Sequence, residues 1–139
     1  MFIEGQSQRV VLEWSLPIVH DCLREFYVQY VPLRSASFKQ LTQLHFTLWA
    51  SLVRGDFEAA RADEAKLATT AASLGLDVAV CGAANRYVAA ELLDLSLRRF
   101  RRMPEESKTN NQTLLAILMH LNRNAAPSHA SATAFRQAA

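Results

Sequence analysis

The chain has 139 residues, half of them hydrophobic and a fifth charged, which suits one domain with a core of its own and is too short for two ordinary domains. A formal net charge of +2 makes no electrostatic case for nucleic acid or a membrane surface as partner. Four glycines and four prolines leave little room for the many turns of an all-β fold and favour a few long helices.

Helical spacing runs through nearly the whole chain, and strand-like alternation is absent. A short first helix is expected over Gln6 to Trp14. Ser15 and Pro17 then read as an N-cap and an early helical proline. They open a second helix with an apolar face of Ile18, Cys22, Leu23, Phe26, Tyr27 and Tyr30, stopped by Pro32. Ser35 or Ser37 caps a third helix over Phe38 to Val53, whose stripe carries Leu41, Leu44, His45, Leu48, Trp49 and Leu52. Gly55 ends it. Asp56 caps a fourth helix, Phe57 to Leu74, rich in alanine and acidic in its early turns. Such a small face lets another helix or a flat ligand come close.

Gly75 closes that helix, and Asp77 caps a fifth, over Val78 to Arg102. Its apolar residues, among them Val88, Leu92, Leu93, Leu95, Leu97 and Phe100, spread over more than one face, so one side is expected to meet a partner subunit. Met103 to Asn111 reads as a polar loop. A broadly apolar sixth helix follows, with Leu114, Leu115, Ile117, Leu118, Met119 and Leu121, until Pro127 breaks or kinks it. The expectation is an all-α domain of about six helices over residues 1–123, followed by an Ala/Ser-rich tail or helix extension over 124–139.

Cys22 and Cys81, far apart, are no disulfide framework and read as reduced core thiols of a cytoplasmic protein. Met1 to Gln8 lacks the pattern of a signal peptide, and no stretch reaches the roughly 18 apolar residues of a membrane span.

Three pieces, in order, carry a resemblance. Leu16-Pro17-Ile18-Val19 leads to Leu23-Arg24-Glu25-Phe26-Tyr27. Leu48-Trp49 leads to Gly55-Asp56-Phe57. Leu74-Gly75-Leu76 is followed by Gly82-Ala83 and Asn85-Arg86-Tyr87. Together they resemble the sensor-type globins, the protoglobin-like domains of bacterial haem-based aerotaxis transducers and globin-coupled diguanylate cyclases, over about residues 8 to 123. The resemblance implies a globin-like helical sandwich that dimerises through its last two long helices as an intersubunit four-helix bundle. Val88, Leu92, Leu95, Leu115 and Leu118 are the expected interface.

One departure governs the functional reading. The family's iron-ligating histidine lies four residues before the glycine of the turn, and this chain has Ala71 there. Alanine offers no lone pair, and the helix Phe57 to Leu74 contains no histidine. The expected function is therefore a non-catalytic sensory module that has lost haem and responds to a small apolar or amphipathic ligand, or to a protein partner. The candidate ligand-binding residues are Tyr27, His45, Ala71 and Cys81.

Tyr27 sits where the resemblance places a distal tyrosine; the plainer alternative is a core tyrosine with a backbone partner. His45 is either a substitute axial ligand or a satisfied core histidine. Cys81 is either a thiolate ligand to iron or a buried, inert thiol. A second reading keeps haem through His45 or Cys81, as a gas or redox sensor. A third is a ligand-free structural dimerisation adaptor, favoured if the pocket among Tyr27, His45 and Ala71 is packed shut. His20 and Cys22, two apart, point to different sides, and His120 and His129 are scattered, so no metal site is expected. Arg98, Arg99, Arg101 and Arg102 end a long helix, where cations suit the dipole, and no nucleic-acid motif accompanies them. No residue pair has the setting of a nucleophile or an acid–base dyad.

Overall fold

A computed structural model describes residues 12–125. Among these residues there are helices and no strands: α1 (Leu16–Tyr27), α2 (Ala36–Val53), α3 (Phe57–Ser73), α4 (Val78–Arg99) and α5 (Pro104–Ala125). Of the expected first helix only Leu12 and Glu13 are described as helical; Gln6 to Val11 lie outside the described residues, as do Pro127 and the tail from 126 onward.

The caps follow side-chain chemistry. Ser35 Oγ accepts from the Phe38 amide at 3.1 Å, Asp56 Oδ1 from Ala59 at 3.1 Å and Asp77 Oδ1 from Ala79 at 2.9 Å, each satisfying an otherwise orphaned N–H. Ser15 does not cap α1. Its backbone is already helical, and its hydroxyl donates back to the Leu12 carbonyl.

The expected polar loop over Met103 to Asn111 is instead the first half of α5. Pro104 needs no amide partner at a helix start, and Glu105 and Glu106 suit the positive end of the dipole. The hydroxyls of Thr109 and Thr113 bond back to carbonyls four residues earlier, and Ser107 and Asn110 turn inward. The preceding helix accordingly stops at Arg99, not Arg102.

α1 packs against both α2 and α4, α3 folds back along α2, and α5 returns along α4 as a helical hairpin. The core is built from Val19, Leu23 and Tyr27 of α1, Phe38, Leu41, Leu48, Trp49 and Leu52 of α2, and Val88 and Leu92 of α4. α3 contributes Ala60, Leu67 and Ala71, so its backbone lies close to α2. Polar ties lock the helices at their rims. Tyr87 donates to Glu25 at 2.8 Å, Ser51 donates to Asp63 at 2.8 Å, and His120 stacks on Phe57 with ring centroids 4.8 Å apart.

Gly55 and Gly75 close α2 and α3 with φ of +78° and +79°. The space around both is open, so only backbone conformation demands glycine. Gly82, inside α4, has no such demand, and the nearest atom to a built Cβ is Arg86 Nη1 at 3.7 Å. Gly55→Ala and Gly75→Ala are each expected to lower unfolding free energy by about 1–2 kcal/mol. Gly82→Ala is expected to raise it by roughly 0.5–1 kcal/mol. Urea denaturation of the three variants checks the contrast.

Candidate functional site

Two helical stripes face each other in the core. His45 and Trp49 are one turn apart on α2, and Cys81 and Asn85 are one turn apart on α4. Tyr27, the last residue of α1, reaches between them. Tyr27, His45 and Trp49 are completely buried.

The hydrogen bonds assign one another. An indole N–H only donates, so Trp49 Nε1 at 2.9 Å makes Asn85 Oδ1 an acceptor. The same oxygen lies 2.6 Å from His45 Nε2, which must then carry a proton. Neutral imidazole leaves Nδ1 as an acceptor, and the Tyr27 hydroxyl donates to it at 2.8 Å. With the phenolic proton committed to His45, the Tyr27 oxygen stands beside the Cys81 thiol.

The electrostatics keep all three titratable members neutral. Burial pushes the Tyr27 phenol up, with Cys81 adding to it, and burial pushes the Cys81 thiol up against a smaller opposing pull from Tyr27. A protonated thiol is a poor nucleophile and a poor metal ligand. Burial lowers the His45 imidazole from 6.5 to about 4, opposed in part by Asn85.

A cleft of about 680 Å³ opens beside this network, walled by α3, α4 and α5 with Leu48 of α2 at its back. Cys81 and Asn85 belong to both the network and the cleft wall. Leu67, Leu118 and Leu121 make much of its apolar lining, and Arg61, Arg86 and Arg123 bring exposed guanidinium groups to it. The size is that of a small-molecule site, about 300–1,000 Å³.

Of the ligand-binding residues expected from sequence, Tyr27, His45 and Cys81 come together, and Ala71 is buried in the same core. Only Cys81 of the four lines the cleft; the space expected among Tyr27, His45 and Ala71 is filled by side chains. Tyr27 has a side-chain partner, not a backbone one. Asn85 was missed as a site residue. The available signal was the pair of N–H donors, His45 and Trp49, on one buried stripe, which calls for a shared acceptor.

The expected interface also needs correction. Val88 and Leu92 are fully buried within the chain's own core and are inaccessible to a partner, and Leu95 and Leu118 are half-buried. Leu115 is 58 % exposed, and beside it stand Met119 at 51 %, Leu97 at 50 % and Leu93 at 43 %. Leu97 and Leu115 line one shallow hollow between α4 and α5. Leu93 and Met119 lie one turn further along each helix from the connection.

Arg98 is paired with Asp94 at 2.8 Å, and Arg99 lies 5.0 Å over the Trp14 ring. Cys22 is buried, its thiol pushed up to about 11 chiefly by burial. Among the described residues no group of three His, Cys, Asp or Glu has the arrangement to hold a metal ion, and no helix is long and apolar enough to cross a membrane. No protein-family model matches this chain, and no curated protein or solved structure matches it.

The His45 shift has a defined sign. Between about pH 6.5 and pH 4 the unfolded chain binds a proton that the folded chain refuses. Stability is therefore unaffected by this group above that window and is lost as pH falls through it, by on the order of 3 kcal/mol. Urea midpoints measured from pH 7 to pH 4.5 should fall more steeply for the wild-type chain than for His45→Gln, which retains one donor and one acceptor but does not titrate.

Proposed function

We propose that this chain is a non-catalytic sensory or regulatory module of sensor-globin type that has lost haem and acts as a helical homodimer. The order of elements supports the globin reading. A proline-initiated α1 ends in Phe26-Tyr27 and packs on α2 and α4. α2 is followed by Gly55-Asp56 and then Phe57 at the start of α3, α3 is followed by Leu74-Gly75-Leu76, and a long hairpin of α4 and α5 comes next.

The observation that carries the loss of haem is the commitment of the His45 ring. Nδ1 accepts from Tyr27, and Nε2 donates to Asn85, so neither nitrogen is free for iron. Ala71 has no ligating atom, and the thiol of Cys81 is held protonated. The residues present do not fit a haem. The signal then enters through the cleft beside the network, as a small ligand, or through a protein partner.

The closed space among Tyr27, His45 and Ala71 favours a second reading, a ligand-free dimerisation adaptor. The two readings share the dimer and differ in whether the cleft takes a ligand.

Incubation with excess haemin, removal of the free cofactor and an absorption spectrum test the first point. The expected result is no retained Soret band. A band at near one haem per chain, lost on His45→Ala or Cys81→Ala, overturns the proposal. The dimer rests on the exposed stripe Leu93, Leu97, Leu115 and Met119, since contiguous exposed apolar surface marks interaction sites. Sedimentation velocity is expected to give a dimer for the wild-type chain and a folded monomer for Leu97→Glu with Met119→Glu.

A further inference from the structure

The cleft has a more definite chemistry than its apolar lining suggests, and Asn85 sets it. A carboxamide oxygen has two lone pairs, and both are used, one by His45 and one by Trp49. The amide plane is thereby fixed, and flipping it would set the NH₂ group against two N–H donors. The Nδ2 group, with two protons to give, has no hydrogen-bond partner among the described residues, and Asn85 forms part of the cleft wall. An oriented donor has been built there.

Charge runs the same way. Arg61 on α3, Arg86 on α4 and Arg123 on α5 all line the cleft, and among the described residues none of them is in an ion pair. Arg86 Nη1 lies 3.7 Å from where a Cβ of Gly82 would stand, so the guanidinium lies back over Gly82, itself a cleft residue. Among the described residues the one carboxylate lining the cleft, Glu64, faces His120 at 3.7 Å. Beyond this polar side, Leu48, Leu67, Leu118 and Leu121 offer a wall that no anion needs. A purely apolar ligand would cover the Asn85 amide without answering it, at the cost of an unsatisfied donor, and would gain nothing from the guanidinium groups at the rim. A bare anion would gain nothing from the leucines.

We infer that the cleft binds an amphipathic carboxylate, a single apolar chain with one anionic head, with the head on Asn85 Nδ2 and Arg86 and the chain along the leucine wall. This rests on the sensory reading above in so far as the cleft is the place where the signal enters.

Calorimetric titration of the full chain with sodium decanoate, 1-decanol and anionic phosphatidylglycerol vesicles tests it. Saturable decanoate binding at one site per chain is expected, with decanol weaker by about tenfold or more, the worth of a charge-assisted hydrogen bond. Arg86→Ala, at an exposed position, and Asn85→Asp should each weaken decanoate by about tenfold. Asn85→Asp keeps an acceptor for His45 and Trp49 but presents an oxygen where the amide donor stood. Arg98→Ala, at a position paired with Asp94 outside the cleft, should leave binding unchanged.

Equal binding of decanol and decanoate overturns the head-group assignment, and so does decanoate affinity indifferent to Arg86→Ala. Absence of decanoate binding overturns the inference, whether or not vesicles bind. Haem retention and dimerisation are read by separate measurements, so the sensory proposal stands or falls independently of this titration.

Discussion

The carbonyl oxygen of Asn85 is the point on which the interior depends. It takes the N–H of His45 and the N–H of Trp49, and so ties the middle of α2 to the first half of α4. From that one acceptor the proton positions of the network joined to it follow without freedom. The His45 tautomer is set, Nδ1 becomes an acceptor, and the Tyr27 proton is directed to it, with the Cys81 thiol beside the phenol. Three helices, α1, α2 and α4, are joined by side chains that are buried or nearly so. In a low-dielectric core, polar groups are tolerable only when they satisfy one another, and a satisfied set specifies one packing among many.

The same network separates two spaces. On the α1 and α2 side it leaves no volume, because Tyr27, His45 and Trp49 fill it completely. On the α3 and α5 side a cleft remains. Its shape follows from the alanines of α3. Ala65 and Ala68 line the cleft, and small side chains there cannot reach across to α4. α5 passes over the opening and is held to α3 by the stacking of His120 on Phe57. Leu118 of α5 therefore faces the cleft, while its neighbours Leu115 and Met119 face outward on the proposed dimer surface. A single helix thus contacts both the ligand site and the partner side of the domain.

Much of the fold was legible in the chain. The helix ends at Gly55 and Gly75 and the caps at Ser35, Asp56 and Asp77 depend on local chemistry, a left-handed backbone or a side-chain oxygen within three residues. Periodicity likewise identified the inward stripe of α2. It failed at Met103 to Asn111, where polar residues are a helix because Ser107 and Asn110 turn inward and the threonine hydroxyls bond to their own helix. The site was half legible. His45 and Tyr27 stood out as polar groups on apolar stripes, but their partner Asn85 lies 40 residues from His45.

What the sequence determined by itself was the all-helical character, most helix boundaries and the lack of a ligating atom at position 71, since each is settled within a few residues of chain. Only the tertiary structure decided which of two apolar faces of α4 is inside. Val88 and Leu92 go to the core, Leu93 and Leu97 to the surface, and composition along one helix cannot rank them. It likewise decided that the pocket expected around Tyr27 and His45 is closed and that the open volume lies behind Cys81 and Asn85. Cavities and shared hydrogen bonds arise from how distant segments meet, and that information resides in the packing, not in any local stretch of residues.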